Sequence, residues 1–374
     1  MNKRIFLSSP TMYGDEQKYI KEAFDTNWIA PLGANVTGLE NDMTDYLGIG
    51  GAVALSSGTA ALHMAVKLAG IKSGDVVFCS DMTFSATVNP VSYEGGRQVF
   101  IDCEKDSWNM DPQALRKAVE KYPNGKAVIC VNLYGSPAKL DEIKSICREN
   151  NLVLIEDAAE SLGAKYRGRQ TGTFGDYNAI SFNGNKIITT SGGGMFLSDN
   201  RDACKKVLFW ATQSREPAPH YQHEEIGYNY RMSNIVAGIG RGQMNHLDEH
   251  VTLKKKIYNA YKEGFKTINA IKMNPYLEES EPNFWLSCIT IDPESGVTPQ
   301  MVTDALEKEN IESRPIWKPM HMQPVFADCD FITAESGICV DEEIFANGVC
   351  LPSDVKNTDT DCKKIIGIIK NLFE

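Results

Sequence analysis

The first two-thirds of this 374-residue chain alternates short apolar runs with helix-length amphipathic segments, and few folds accommodate that pattern. Residues 52–55, 76–79, 98–101, 127–133 and 152–155 are too short for helices and apolar almost throughout. A strand apolar on both sides must be covered on both faces, which parallel sheets wrapped by helices achieve and one-sided hairpins do not. The segments between them supply the cover. One helix is expected over 60–69, closed by Gly70, and another over 139–150, with Leu140, Ile143, Ile146 and Cys147 on one stripe. The expectation is an α/β fold with a mostly parallel central sheet. Ligands in such sheets gather at the carboxyl ends of the strands, so the residues just after each apolar run come first in a search for chemistry.

Near His246 the pattern changes. A polar helix over 247–265 leads into a stretch rich in proline and glutamate, 274–282. A strand over 285–291 follows, then a helix opened by Thr298-Pro299, a strand near Ile311 and a closing helix over 361–373. This predicts a large domain over 1–250 and a smaller α+β domain over 251–374.

Composition excludes several classes of function. A formal net charge of -11 sets the surface against a phosphate backbone, so no nucleic-acid partner is expected. No apolar run approaches the roughly 20 residues of a membrane span, and the amino terminus turns polar too early for a signal peptide. The ten cysteines contain no C-x-x-C pair, and Cys79, Cys130 and Cys288 read as buried thiols of a cytoplasmic protein. His246 and His250 are spaced i, i+4, but His-Leu-Asp-Glu-His lacks a glutamate directly after the first histidine. They read as a solvated helix face, and no metal site is expected.

Three local features stand out, the first two of them at expected strand ends. Ser57-Gly-Thr59 joins a strand to a helix, where free amides and the helix dipole favour a phosphate. Asp157 follows the run 152–155; an aspartate there either caps a helix or serves as counter-ion to a buried cation. Lys186 stands in Ser181-Phe-Asn-Gly-Asn-Lys186, shortly before Gly192-Gly-Gly194, with little other charge nearby. An amine in so permissive a backbone suits covalent chemistry with a carbonyl, provided that burial keeps part of it neutral.

The order of these features, together with Asn27-Trp-Ile-Ala-Pro-Leu-Gly33, Asp81-Met-Thr-Phe84, Glu156-Asp-Ala-Ala-Glu160, Gly227-Tyr-Asn-Tyr-Arg-Met232 and Arg314-Pro-Ile-Trp-Lys-Pro-Met-His321, resembles the DegT/DnrJ/EryC1/StrS family of nucleotide-sugar aminotransferases. These are fold-type I pyridoxal 5'-phosphate (PLP) enzymes, related to aspartate aminotransferase. The resemblance implies that Lys186 forms the Schiff base with PLP and moves protons. It places Asp157 at the pyridine nitrogen, Glu160 near the ring hydroxyl and Phe84 against the ring. Gly58, Thr59 and Ser181 would hold the phosphate. Asn229 would reach the cofactor of a second subunit, which implies a homodimer with shared sites. Asn183, Tyr221, His223, Arg231 and His321 are the candidate substrate contacts. Lysine rather than histidine at 186 implies transamination rather than sugar dehydration.

The run from Arg215 to Tyr230 is similar to the branch that aminates C4 of UDP-4-keto-6-deoxy-N-acetylglucosamine, on the path to bacillosamine and exopolysaccharide, with L-glutamate as donor. For His220 and His223, loop packing and substrate contact stay open. So do a 3-keto sugar, a GDP-linked 4-keto sugar and an aminocyclitol precursor as acceptors. A regulatory member of the same fold is the reading from another class.

Overall fold

The computed structural model describes residues 4–374. The five apolar runs are strands, and with three others they build one eight-stranded sheet. Its order is Gly51–Leu55, Gly194–Ser198, Tyr177–Ser181, Val153–Asp157, Ala127–Val131, Val76–Ser80, Arg97–Ile101 and Asp330–Ile332. The ladders are parallel except those of Gly194–Ser198, which runs against both neighbours. Period-two alternation sorts the strand side chains between two faces. Val77, Cys79, Ala127 and Ile129 pack in the core that holds the helices Gly58–Leu68 and Arg201–Ala211. Phe78, Val128 and Cys130 pack with Pro112–Lys121 and Leu140–Glu149. Burying each large apolar side chain contributes about 1.5–3 kcal/mol, so two covered faces are the main source of this sheet's stability.

A four-stranded antiparallel sheet, in the order Ile271–Met273, Ser287–Ile291, Gly348–Leu351 and Arg314–Pro315, lies in the carboxyl-terminal third. It shares a core with the helices Leu247–Phe265, Pro299–Lys308 and Asp359–Lys370. The buried members of that core all come from beyond residue 250, where the smaller domain was expected to begin. The chain nevertheless crosses that line. Asp330–Ile332 joins the large sheet beside Arg97–Ile101, Ser280–Glu281 pairs with Lys165–Tyr166, and Ile5 pairs with Ile311.

Three local expectations need correction. The run 127–133 stops being a strand at Val131, because Leu133–Gly135 turns with Tyr134 at φ 53°. Ile311 makes only an isolated bridge, and the regular strand falls at Arg314–Pro315. His250 is not solvated; it is 2% exposed. Its Nδ1 donates to the Ile187 carbonyl at 2.6 Å, and its Nε2 lies 2.8 Å from the Tyr13 hydroxyl. With both ring nitrogens partnered, a histidine can sit in a core.

Candidate active site

Several strand ends and one helix start converge at the carboxyl edge of the large sheet. Asp157 and Ser181 are each the last residue of a strand. Gly194 is the first residue of the antiparallel strand, so its amino end reaches the same edge. Leu55 leads through Ser56 and Ser57 into the helix Gly58–Leu68, and the Ser57 hydroxyl caps that helix by accepting from the Ala60 amide at 3.0 Å. Gly194 passes so close to this turn that a Cβ on it would stand 2.3 Å from the Gly58 nitrogen. A Cβ at Gly58 would in turn lie 2.9 Å from the Ser181 Cβ. Both positions therefore require glycine for space.

Above this turn opens a cavity of about 370 Å³. Eight of the residues singled out in the sequence line it: Gly58, Thr59, Phe84, Asp157, Glu160, Ser181, Asn183 and Lys186. Lys186 closes a tight turn, its amide donating to the Asn183 carbonyl at 3.1 Å. Its Nζ lies 4.0 Å from the centroid of the Trp285 ring, within cation–π range. The Trp285 indole N–H donates to the Asn185 carbonyl at 2.7 Å, which ties that ring to the lysine's own loop. Burial pushes the Lys186 amine below its ordinary pKa, while Glu160 and Asp157 pull it back up.

The two carboxylates differ in their support. Asp157 is buried and accepts from the Thr87 hydroxyl at 2.6 Å and the Ala159 amide at 3.0 Å. Glu160, also buried, accepts from the Tyr134 amide at 2.6 Å. Desolvation raises both pKa values. Glu160 is pushed up to about 7, by burial above all and by the nearby Asp157, against the pull of Lys186. A carboxylate kept anionic in such a place needs a cation, and Asp157 is the better prepared of the two to hold one.

Other cavity residues escaped the sequence reading. Thr87 buttresses Asp157, and Trp285 and Trp317 arrive from beyond residue 280. The Phe84 ring is 58% exposed and tilts against Trp317 with centroids 5.7 Å apart. A signal for Trp317 was present in the run Arg314 to His321. Trp285 looked like the opening of an apolar strand, whereas regular pairing begins at Ser287.

Five expected residues lie outside the cavity of this chain. Arg231 is held within its own chain. Its guanidinium is buried in a bidentate pair with Glu40 (Nη2 to Oε2 3.2 Å) and donates to the Ala54 carbonyl at 3.0 Å. His321 is held by Asp81 and stacks on Phe331 with centroids 3.9 Å apart. Tyr221 is 77% exposed with the Arg215 guanidinium over its ring, and His223 bonds the Gln213 carbonyl at 2.8 Å. Asn229 pairs through its backbone with Thr212.

The cavity fits pyridoxal phosphate in its donor set. Helix-end amides and the Ser181 hydroxyl meet in a cradle kept open by Gly58 and Gly194, a buried carboxylate stands where a cationic ring nitrogen would need one, and an amine and an aromatic face complete it.

The DegT/DnrJ/EryC1/StrS aminotransferase family model matches residues 10–370. EpsN of Bacillus subtilis, named as a pyridoxal phosphate-dependent aminotransferase, is 48% identical over 377 residues, taking in 100% of this chain and 97% of EpsN. The GDP-perosamine synthase of Caulobacter vibrioides is 33% identical over 371 residues, or 99% and 98% of the two chains. The UDP-4-amino-4,6-dideoxy-N-acetyl-beta-L-altrosamine transaminase of Campylobacter jejuni is 30% identical over 254 residues, or 66% and 67%. Matched almost end to end, with lysine, carboxylate and helix end gathered in one cavity, the chain belongs to the DegT/DnrJ/EryC1/StrS family of fold-type I, pyridoxal phosphate-dependent sugar aminotransferases.

Proposed function

We propose that this aminotransferase moves the amino group of L-glutamate to the C4 keto group of UDP-2-acetamido-2,6-dideoxy-4-keto-hexose. The observation that carries the reading is the Lys186 amine, desolvated yet facing an open cavity beside Asp157 and Glu160. Pyridoxal phosphate, when bound, supplies a carbon that carries the amino group and a ring that takes up an electron pair. Asp157 would hold the ring nitrogen cationic and Glu160 would meet the ring hydroxyl. Gly58, Thr59 and Ser181 would seat the phosphate, and Phe84 would cover one ring face. Lys186 is the only lysine lining the cavity among the described residues, so its Nζ is the group to take a proton from the substrate carbon and return it.

The UDP-linked acceptor is supported by the run from Arg215 to Tyr230 and by the Campylobacter relative. The Caulobacter relative favours a second reading, a GDP-linked 4-keto sugar. We also propose a homodimer with shared sites. Trp28, Ile29, Leu32, Tyr221 and Ile226 are each about half exposed or more, a large apolar display for a lone chain, and Asn229 lies outside the cavity of its own chain. All ten cysteines are free, which fits a cytoplasmic location, and no helix among the described residues is long and apolar enough to cross a membrane.

Borohydride reduction of the resting holoenzyme, followed by peptide mapping, is expected to fix the cofactor on Lys186; a label elsewhere overturns the lysine assignment. Turnover of UDP-linked against GDP-linked 4-keto sugars, with glutamate as donor, then separates the two acceptors.

A further inference from the structure

Further along the same sheet edge lies a second polar cluster that takes no part in the cavity. Asp81 and Asp102 directly follow the strands Val76–Ser80 and Arg97–Ile101, and Asp341 stands in the first turn of the helix Val340–Asn347. All three are at most 2% exposed. No lysine or arginine pairs with any of them among the described residues, and the one cationic side chain on hand is His321. Asp81 accepts from the His321 amide at 2.7 Å and from its ring Nδ1 at 2.5 Å. Asp102 is satisfied by the amides of Cys103, Val340 and Asp341 at 2.9–3.1 Å. Asp341 accepts from the Cys103 amide at 3.2 Å and faces Asp81. Three buried carboxyl groups thus gather beside one imidazole, and each is tolerated there only with a partner.

Beside this cluster, His321, Cys339 and Glu342 each present one donor atom, all within 4.8 Å of one another. With Nδ1 bound to Asp81, the His321 nitrogen left for a ligand is Nε2, which lies 3.1 Å from Glu342 Oε1. A carboxylate behind a histidine, fixing its tautomer and aiming its other nitrogen outward, is the arrangement found behind metal-ligating imidazoles.

We propose that His321, Cys339 and Glu342 bind a divalent metal ion, zinc being the best match to their nitrogen, sulfur and oxygen donors, with water in the fourth position. A tetrahedral ion with bonds of about 2.0–2.3 Å sets its donors about 3.3–3.8 Å apart. Binding therefore draws the three together by up to about 1 Å, which the exposed Glu342 side chain permits. The ion would tie His321, at the end of the run bearing Trp317, to the start of the helix Val340–Asn347. Sequence spacing could not show the site, because the turn Met320–Met322 and the start of the helix Val340–Asn347 meet only in the fold.

The test is equilibrium dialysis of the holoenzyme against zinc ions, with elemental analysis. One zinc per chain is expected, with affinity falling at least about tenfold in Cys339→Ser and in His321→Gln but unchanged in Cys329→Ser. Zinc uptake equal in wild type and Cys339→Ser overturns the proposal, as does magnesium binding that survives Cys339→Ser. Should the variants fail to fold, the unmodified holoenzyme decides. Zinc should slow alkylation of Cys339 by iodoacetamide, mapped by mass spectrometry, and an unchanged rate at Cys339 overturns the assignment.

Discussion

Lys254 is buried and Lys186 half-buried, both amines desolvated, and their difference says more about reactivity than either does alone. Lys254, on the helix Leu247–Phe265, donates to the carbonyls of Trp285 at 2.9 Å and Ser353 at 2.8 Å and lies 3.4 Å from the Ser8 hydroxyl. Lys186 makes no side-chain hydrogen bond among the described residues; an aromatic face, two nearby carboxylates and open cavity surround its amine. Burial lowers the basicity of both, bringing Lys254 down to about 7. A lowered pKa is thus a mark of desolvation shared by a staple and a nucleophile. What separates them is whether the amine is already spent. Trp285 serves both, taking Lys254 with its carbonyl and Lys186 with its ring.

The contrast is breakable, and the largest effect is expected at Lys186. Lys186→Ala should lower kcat by about 10⁴-fold or more, and borohydride should leave no label on Lys254. A label appearing there would show that any desolvated amine near the cavity suffices. Next comes Asp157→Asn, with an expected loss of about 10²–10³-fold in kcat, since the charge opposite a cationic ring is removed while the Thr87 and Ala159 contacts can persist. A loss under about fivefold would move the counter-ion role to Glu160.

Lys254→Met should leave kcat within about tenfold of wild type and change the pH dependence of stability instead. The folded pKa of about 7 lies below the ordinary value of 10.5, so between those limits the unfolded chain holds more protons. Wild-type stability should therefore gain on the variant as pH rises through that window, by up to about 1.4 kcal/mol per unit, with the full penalty present below about pH 7. Urea midpoints at pH 7 and 9 measure this, and parallel behaviour of the two proteins would remove Lys254 as the titrating group. The smallest effect is expected for Trp285→Phe, which keeps a ring over Lys186 but drops the N–H to the Asn185 carbonyl. About 1 kcal/mol in stability and an intact label at Lys186 are expected. Loss of the label would mean that the indole bond, rather than burial, sets the lysine's geometry.

What the sequence made legible was whatever depends on local pattern. The helix Leu247–Phe265 appears over the residues where it was expected, and the apolar runs became strands whose ends deliver Asp157 and the Gly58-Thr59 turn to one cavity. What stayed hidden depends on contacts between distant segments. For Arg231, a candidate substrate contact, the ion-pair partner Glu40 is remote in sequence and only the fold names it. His250 looked solvated because the Tyr13 and Ile187 groups that satisfy it belong to other segments. Asp330–Ile332 is too short to announce itself, and its role exists only beside Arg97–Ile101.

That three-residue strand also sets an order of events during synthesis. Until it is made, Arg97–Ile101 offers an unpaired edge with Val99, Phe100 and Ile101 behind it, and the ribosome reaches residue 330 long after the rest of the large sheet has emerged. A nascent or prematurely stopped chain therefore carries an adhesive border through most of its translation, and that border is the place where chaperones, or other unfinished copies, would find it.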